Sequence, residues 1–230
     1  MNLLLDLLFP ITCLGCKTHG TWVCVACEST LRFLENDRCA WCKRTASGHG
    51  SICSYCAKKT RISSVVCAFS YEDPLVKKVV RGLKYEFLEG VSGWMGDRLV
   101  DAWNRHGVAP HSKDVIVIPI PLHQRKFRAR GFNQAELLAR QFCKQTDTNL
   151  SPSVLQRVKA TKSQTELAKE ERLQNMKKAF SVCNADIIKE KDILLIDDVY
   201  TTGATLHEAA AALHDAGART ISALVFAKGL

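Results

Sequence analysis

The chain has 230 residues, of which 47% are hydrophobic and 24% charged, and its formal net charge is +9. This length and apolar content suit one medium-sized domain with a small appendage, and they exclude a disordered or fibrous chain. The positive charge favours an anionic partner, which is nucleic acid, a membrane surface or a phosphorylated small molecule.

The chain opens on a short apolar segment, MNLLLDLLFP. A membrane span needs about 20 apolar residues, and the segment has neither the basic leader nor the small-residue cleavage site of a secretory signal. We therefore predict a short helix that packs against the rest of the protein. No later segment is long and apolar enough to span a membrane, so we expect a soluble cytoplasmic protein without membrane insertion.

Eight of the 11 cysteines form four Cys-x-x-Cys pairs near the start of the chain. Each pair puts two thiolates on one side of a tight turn, and two facing pairs supply the tetrahedral sulfur ligands of a structural zinc ion. Without an export signal, metal ligation is favoured over disulfides, and four pairs exceed the needs of one redox dithiol. Pairing first with second and third with fourth predicts two zinc sites, although an interleaved pairing stays open. The predicted ligands are Cys13, Cys16, Cys24, Cys27, Cys39, Cys42, Cys53 and Cys56.

The hydrophobic pattern of the sequence changes near residue 60. Residues 1–60 have little hydrophobic periodicity, so this segment needs a metal in place of a conventional core. From residue 63 onward, apolar runs typical of strands alternate with amphipathic helical patterns. We predict a double zinc-ribbon module over 1–60 and a single α/β domain over 61–230.

The first elements of the α/β domain follow in chain order. A strand is predicted over 64–71, and a helix begins at Asp73-Pro74 and runs to Lys84-Tyr85. A second amphipathic helix covers about 92–105. An apolar run that ends in prolines, 114–121, is typical of a buried parallel strand, and a basic loop follows it.

The second half of the domain continues the alternation. A helix is predicted over about 133–143, and a polar segment of mixed charge covers 150–180. A buried strand over 191–198, a helix over 204–216 and a last strand over 220–227 complete the chain. Strands that alternate with helices indicate a parallel sheet flanked by helices.

The most informative segment is 193–205, in which a buried strand leads to Asp197-Asp198, a Thr/Gly turn and a helix. At the carboxyl edge of a parallel sheet, backbone N–H groups, hydroxyls and the helix N-terminus together form a cradle for a phosphomonoester. Gly203 lets the backbone approach the ligand closely. The two carboxylates can accept hydrogen bonds from a vicinal diol, so a sugar phosphate satisfies both halves. The segment is not a P-loop, because that glycine-lysine pattern occurs nowhere in the chain.

This segment resembles the motif of type I phosphoribosyltransferases that binds 5-phosphoribosyl-1-pyrophosphate (PRPP) together with Mg²⁺. The resemblance implies a catalytic site in which Asp197 and Asp198 bind the ribose hydroxyls. It also implies that the 5′-phosphate is bound by Thr201, Thr202, Gly203, Ala204 and Thr205.

Further segments resemble the ComF/GntX-like family. They are the Pro-Ile-Pro of 119–121, the Arg-x-Arg-Gly-Phe-Asn-Gln of 128–134, and the Arg-x-Lys-x-Thr-x-x-Gln-x-x-Leu of 157–167. Tyr71, the Leu83-Lys84-Tyr85 step and the preceding cysteine module fit the same family. The resemblance implies a phosphoribosyltransferase-domain protein of natural competence, with transforming single-stranded DNA and competence proteins as partners.

Basic residues near the predicted site have two readings that stay open. They could bind pyrophosphate, or they could line a DNA-backbone groove in which Phe127 and Phe132 stack on bases. The segment 157–178 is expected to be a mobile loop over the site, and Lys126 stands among the arginines of the basic loop. The candidate cations are Lys84, Arg125, Arg128, Arg130, Arg157 and Lys159.

Three functions remain compatible with these residues. The first is an enzyme that releases pyrophosphate from PRPP to an unidentified acceptor, although no residue stands out as its general base. The second is a non-catalytic module that binds a phosphoribosyl group or single-stranded DNA. The third is nucleobase salvage; Thr201 stands where many purine-using relatives have an aspartate, which weakens a purine base as the acceptor without excluding it.

Overall fold

The computed structural model describes residues 10–45, 50, 52–85, 89–106, 115–159 and 178–229. The predicted N-terminal helix and most of the predicted loop over 157–178 lie outside these ranges. Within the described residues the helices are α1 (Val25–Glu28), α2 (Ser54–Thr60), α3 (Pro74–Tyr85), α4 (Val91–His106), α5 (Gln124–Arg130), α6 (Gln134–Thr146) and α7 (Ala204–Asp215). None of them has the length and apolar character needed to cross a membrane.

The strands of the described residues form one main sheet and one small pair. They are β1 (Ser64–Ser70), β2 (Ile116–Pro119), β3 (Asn149–Leu150), β4 (Leu155–Arg157), β5 (Phe180–Val182), β6 (Asp192–Tyr200) and β7 (Thr220–Lys228). The main sheet has the order β1-β7-β6-β2-β3, and every neighbouring pair is parallel. The predicted parallel α/β sheet is therefore confirmed.

Helix α3 shows how the sequence sets the local structure. The carboxylate of Asp73 accepts hydrogen bonds from the backbone N–H groups of Leu75 and Val76, at 2.8 and 3.1 Å. This cap, with Pro74 in the first turn, fixes where the helix begins. Apolar side chains at helical spacing then bury one face against the sheet. The last turn of α3 consequently brings Lys84 to the sheet edge.

Two hydrophobic clusters lie on the two faces of the main sheet. Side chains alternate between them along each strand, as the period of two requires: Val65 and Ile193 belong to one cluster, Val66 and Leu194 to the other. Helices α3, α4 and α6 cover the cluster that contains Val66, whereas α7 covers the opposite one. The sheet is thus the middle layer of three.

The cysteine-rich segment packs on both faces of this sheet. Leu14, Val23 and Leu31 of the first cysteine region join the cluster under α3 and α4. Cys39, Ile52 and Cys56 of the second region join the cluster under α7. The two cysteine regions therefore hold the sheet from opposite sides.

The chain between the two cysteine regions crosses the edge strand β1. The backbone N–H of Leu34 donates to the carbonyl oxygen of Ala68 at 2.9 Å. The amide of Asn36 donates to the carbonyl of Cys67 at 2.9 Å and accepts from the N–H of Cys67 at 3.0 Å. This linker satisfies backbone groups that the outer edge of a sheet would otherwise leave unpaired.

One local expectation is wrong. The basic segment after β2 is helical in part, because the ring nitrogen of His123 accepts from the N–H of Arg125 at 3.2 Å and Gly131, at φ 82°, ends α5. The polar segment 150–180, for which no strand was predicted, contains β4 and the start of β5, and these strands pair antiparallel with Leu155 opposite Val182. Caps and short pairings of this kind leave little hydrophobic periodicity in the sequence.

Candidate functional site

Each cysteine region brings four sulfur atoms together. The sulfurs of Cys13, Cys16, Cys24 and Cys27 form one set, and those of Cys39, Cys42, Cys53 and Cys56 form the other, all within 4.8 Å of one another in each set. Zinc-bound sulfurs at about 2.3 Å from the ion in a tetrahedron stand about 3.8 Å apart. The distances of 3.5 Å between Cys16 and Cys24 and 3.6 Å between Cys42 and Cys53 match this spacing.

The two sets have the same local architecture. In each, the residue after the first Cys-x-x-Cys pair, Lys17 or Lys43, has a positive φ and donates its N–H to the carbonyl of the first cysteine. Each second pair lies at the start of a short helix, α1 or α2. The sequential pairing is therefore the one adopted, and the interleaved pairing is excluded. Both tetrads have the donors and geometry that zinc requires.

The acid pair lies where the neighbouring strand β2 ends. Strand β6 hydrogen-bonds with β7 as far as Tyr200, whereas its pairing with β2 stops at Ile196. Asp197 and Asp198 thus lie inside β6 and not at its end. On the β2 side of β6 they come directly after the last paired residue, Ile196. Asp198 is buried, and its N–H donates to a carboxylate oxygen of Asp197 at 2.9 Å. The acid pair therefore lies just beyond the point where β2, which ends at Pro119, leaves the sheet.

Lys84 neutralises part of this acidic charge. Its Nζ lies 2.5 Å from a carboxylate oxygen of Asp198, and both side chains are largely buried. Burial by itself would lower the pKa of Lys84, but the charges of Asp198 and Asp197 raise it above its ordinary value. Burial and the charge of Asp198 raise the pKa of Asp197 well above its usual range.

The predicted phosphate-binding residues form the turn between β6 and α7, which we call the phosphate turn (residues 201–205). Asp197 and most of these residues line one small concavity. Gly203 has φ 79°, a left-handed conformation that favours glycine. The N–H of Ala204 donates to the hydroxyl of Thr202 at 3.4 Å, and Ala204 begins the 12-residue helix α7. A phosphate in this concavity would meet the positive end of the helix dipole.

Cations surround the acid pair on the side of β4 and α5. Arg157 is half-buried, and although burial lowers its pKa, the negative charge of Asp197 opposes that shift. Partial burial and the positive charges of Arg157, Arg130 and Lys84 lower the pKa of Lys126. Such mutual repulsion marks a place where positive charge is concentrated and where an anion would be stabilised.

The other predicted cations are spread more widely. Arg130 is held by its donation to the amide oxygen of Gln134, at 2.5 Å, and by the ring of Tyr85, 5.5 Å from the guanidinium carbon. Arg125, Arg128 and Lys159 are exposed. The pairing of Phe127 and Phe132 as stacking surfaces is wrong, because Phe132 is only 8% exposed and belongs to the core whereas Phe127 is 46% exposed. Three further residues of the predicted loop lie outside the described residues: Lys162, a candidate for pyrophosphate contact, and Arg172 and Asn175, expected to cap or brace the loop.

Two residues at the site were not predicted from the sequence. Trp41 and Tyr200 both contact Gly203, and Tyr200 is buried at 5% exposure. Trp41 lies within the Cys-x-x-Cys pair formed by Cys39 and Cys42. An aromatic residue between two zinc ligands is the only feature of the sequence that could have indicated its contact with the turn. Tyr200 directly precedes the phosphate turn, and this position in the sequence could have indicated that it lies at the site.

Comparison with protein families supports the phosphoribosyltransferase reading of the second half. Residues 127–230 match the family model of the phosphoribosyl transferase domain. This match contains the last turn of the basic helix α5, the acid pair and the phosphate turn. It does not contain the cysteine regions.

Curated relatives match a larger share of the chain. Competence protein ComFC of Bacillus subtilis is 31% identical over 212 residues, which cover 85% of this chain and 79% of the relative. Competence protein F of Haemophilus influenzae is 27% identical over 217 residues, covering 86% of this chain and 93% of the relative. DNA utilization protein YhgH of Shigella flexneri is 26% identical over 207 residues, covering 88% of both.

Solved structures also show local similarity. The allosteric regulatory enzyme of purine biosynthesis aligns with a TM-score of 0.38 and 16% identity, over 59% of this chain and 26% of that chain. Glutamine PRPP amidotransferase of Bacillus subtilis aligns with a TM-score of 0.39 and 16% identity. This chain therefore spans about a quarter of the length of each of these enzymes.

The parallel sheet, the strand-acid-turn-helix edge and the family-model match define a protein of the phosphoribosyltransferase-like class. Two features identify the family more specifically. They are the cysteine tetrads in front of that domain and the 31% identity to ComFC over most of both chains. The chain belongs to the ComF/GntX-like family. The family and the fold expected from the sequence are both confirmed.

Proposed function

We propose that this protein binds Mg-PRPP at the carboxyl edge of its sheet and transfers or holds the phosphoribosyl group during the uptake of transforming DNA. Residues 61–230 form the ligand-binding domain in this proposal, and residues 1–60 form its zinc module. The protein acts in the cytoplasm, where PRPP is available.

The observation that carries the proposal is the meeting of three features at one edge. Asp197 lines a concavity with the phosphate turn at the start of a 12-residue helix, and the neighbouring carboxylate, Asp198, accepts the ion pair from Lys84. Cations from three other elements, Lys84, Lys126 and Arg157, stand around the acids. PRPP has a vicinal diol, a terminal phosphate and a pyrophosphate, so each feature has a matching group in the ligand.

The supported reaction is displacement of pyrophosphate at the anomeric carbon of the ribose. The bond from that carbon to the pyrophosphate oxygen breaks with its electron pair, while the acceptor forms a bond to the carbon and loses a proton. Mg²⁺, when bound with PRPP, supplies charge neutralisation on the leaving group. The protein's own share is to hold the diol on Asp197 and Asp198, the phosphate on the turn and the pyrophosphate near Arg157.

The cellular role rests on the names of the relatives. Two of them are competence proteins and another is a DNA utilization protein, and each match covers more than three quarters of both chains. The formal charge of +9 suits a partner such as single-stranded DNA. Proteins of the competence machinery are therefore the expected partners.

A second candidate is a module that binds PRPP, a phosphoribosyl group or single-stranded DNA without turnover. Helix α5 favours it, because Arg125, Arg128 and Phe127 are all exposed there and suit a nucleic-acid strand. The ion pair between Lys84 and Asp198 also favours it, since the acids are partly neutralised without a ligand. Nucleobase salvage is the third candidate, and Thr201 at the turn weakens it for purines.

Calorimetry with Mg-PRPP tests the proposal, with Asp198→Asn as the site variant. Asp192→Asn is the matched control, because Asp192 lies on the same strand and pairs with Arg219 at 2.6 Å away from the site. We expect binding to the wild-type protein and the control, and loss of at least tenfold in affinity for Asp198→Asn. Absence of a binding heat for the wild-type protein would refute the proposal.

Pyrophosphate release separates the three candidates. PRPP and Mg²⁺ are incubated with the protein and with nucleobases, or with DNA that carries free 5′ or 3′ ends. Release that requires DNA and disappears in Asp198→Asn supports the enzyme of DNA uptake. Binding without release from any acceptor supports the module, and release with a free base that restores growth of a salvage-deficient strain supports salvage.

A further inference from the structure

The phosphate turn is in direct contact with the second cysteine region. A Cβ placed on Gly203 would lie 2.7 Å from a ring carbon of Trp41 and 2.7 Å from the hydroxyl of Tyr200. Distances below 3.0 Å leave no room for a side chain, so the indole and the phenol close one side of the turn. Glycine at position 203 is therefore favoured by Trp41 of the second cysteine region, by Tyr200 of β6 and by its positive φ.

Tyr200 connects the end of β6 to the same region. Its hydroxyl donates to the carbonyl oxygen of Ala40 at 3.0 Å. Strict alternation would put Tyr200 on the same face of the sheet as Ile196. Ile196, however, belongs to the cluster under α3 and α4, whereas Tyr200 belongs to the cluster under α7. The alternation therefore shifts between the acid pair and the turn, and this shift directs the phenol towards the second cysteine region.

Helix α7 completes the contact. The rings of Trp41 and His207 have centroids 5.4 Å apart at a tilt of 52°. The N–H of His207 donates to the carbonyl of Gly203 at 2.9 Å, which closes the first turn of α7. Trp41 thus packs on the turn and on the helix whose N-terminus would face a phosphate.

The two contact residues, Ala40 and Trp41, are the pair enclosed by Cys39 and Cys42. When both cysteines ligate one ion, the tight turn between them, which we call the knuckle, has a single conformation. This fixes the Ala40 carbonyl and the Trp41 backbone. Without the ion, the four thiols no longer hold the knuckle closed. The position of the indole over Gly203 then depends on packing alone.

We propose that the second zinc ribbon is a positioning device for the phosphate turn, so that zinc occupancy of Cys39, Cys42, Cys53 and Cys56 and affinity for a sugar phosphate are thermodynamically linked. Trp41 is the positioning residue, and it acts through Gly203 without touching the ligand. The identity of the ligand rests on the proposed function above. By reciprocity, a bound ligand would raise the zinc affinity of the second ribbon by the same factor.

The first ribbon provides a natural comparison. Its helix α1 is tied to α4, where the indole N–H of Trp94 donates to Glu28 at 2.8 Å and Arg98 pairs with the same carboxylate. Its tryptophan, Trp22, also packs on a glycine, since a Cβ on Gly90 would lie 2.7 Å from the indole nitrogen. These contacts lie on the α3–α4 side of the sheet and none of them involves the phosphate turn.

The experiment compares Trp41→Leu with Trp22→Leu, each a ribbon tryptophan that covers a glycine. Hydrogen exchange of the amides of residues 201–206 is measured without ligand, and Mg-PRPP affinity is measured by calorimetry. We expect Trp41→Leu to retain both zinc ions, to exchange faster at the turn, and to bind about 5- to 150-fold more weakly, the usual range of coupling between two sites. Trp22→Leu should leave turn exchange and affinity at the wild-type level.

A pair of cysteine variants tests the metal itself. Cys42→Ser, which loses the second zinc ion, should accelerate exchange at the turn. Cys16→Ser, which loses the first, should accelerate exchange around α1 and α4 instead. Equal exchange at the turn in both variants, or an unchanged turn in both Cys42→Ser and Trp41→Leu, would overturn the linkage. If the wild-type protein binds no PRPP, the proposed function fails, while hydrogen exchange still decides whether the ribbon positions the turn.

Discussion

The ammonium group of Lys84 lies 2.5 Å from a carboxylate oxygen of Asp198, and the two side chains are only 20% and 5% exposed. Each partner comes from a different layer: Lys84 from the last turn of α3, and Asp198 from the central strand β6. The pair therefore links α3 to the carboxyl edge of the sheet across the helix–sheet interface.

Removing the cation should destabilise the protein strongly. In Lys84→Met the buried carboxylate loses its partner, and breaking a buried pair from one side costs about 3 kcal/mol of unfolding free energy. Urea unfolding measures this loss. The double variant Lys84→Met with Asp198→Asn should regain most of it, because no unpaired charge remains. A single variant as stable as the wild-type protein would contradict the structural role of the pair.

The raised pKa of Asp197 predicts a stability that falls as the pH rises. Between its unfolded pKa, about 4, and its higher folded pKa, the folded protein binds more protons than the unfolded chain, so ionisation destabilises the fold. Asp197→Asn should thus be more stable than the wild-type protein at pH 8 and show little gain at pH 3. Urea unfolding across this range provides the measurement.

Asp192→Asn provides a control of opposite sign. The hydrogen bond from Arg219 lowers the pKa of Asp192, so its contribution is present above the unfolded pKa and disappears as the pH falls through the folded value. This variant should be less stable than the wild-type protein at neutral pH and approach it in acid. Identical pH profiles for both variants would contradict the assignment of the raised pKa to Asp197.

Gly203→Ala tests the crowding of the phosphate turn. The left-handed φ and the close ring of Trp41 together predict a loss of about 2–3 kcal/mol in unfolding free energy. Gly93→Ala is the matched control, because Gly93 lies inside α4 and an added Cβ there meets no atom within 4 Å. That change should stabilise the protein by about 0.5–1 kcal/mol. Thermal unfolding of both variants distinguishes the two outcomes.

The exposed arginines of α5, Arg125 and Arg128, should bind DNA, whereas the half-buried Arg157 of β4 should bind PRPP. Arg125→Ala combined with Arg128→Ala removes two phosphate contacts, which should make the salt dependence of single-stranded DNA binding shallower by about 1.4 in log–log slope. Arg157→Gln should instead weaken Mg-PRPP binding, because Arg157 stands near Asp197. Fluorescence anisotropy with DNA and calorimetry with PRPP are the two measurements. Loss of PRPP binding in the α5 variant would assign those arginines to the pyrophosphate.

Both cysteine tetrads should contain zinc in the purified protein. Metal analysis is expected to find two ions per chain, one for each set of four sulfurs. Each ion should contribute on the order of 10 kcal/mol to the folding of its ribbon. A strong chelator should therefore lower the melting temperature, and added zinc should restore it. Eight free thiols and no zinc in the native protein would rule out the metal sites.

Local patterns in the sequence predict the layers and the metal ligands well. The continuous apolar runs of β2, β6 and β7 identify strands buried on both faces, which confirms the parallel sheet. The constant spacing within the cysteine pairs identifies the two tetrads. Strand β6 extends beyond its predicted end at residue 198 to Tyr200, because pairing with β7 continues after β2 has ended.

Contacts between distant segments leave no such pattern. Ala40 and Tyr200 are 160 residues apart, and nothing near either residue specifies the hydrogen bond between them. The docking of the two ribbons on opposite faces depends on how the linker crosses β1, which is again a long-range contact. The roles of Phe127 and Phe132 differ for a similar reason, since only tertiary packing buries one ring and leaves the other in solvent.

The linker that carries Asn36 along β1 has a consequence for solubility. An uncovered seven-residue parallel strand at a sheet border invites strands of other molecules to add to it, a route to aggregation. The opposite border, β3, has only two residues and offers little template. Because the linker is anchored by a ribbon at each end, a metal-starved chain would expose the β1 border to other copies. Metal supply would then decide how much of the protein escapes this aggregation.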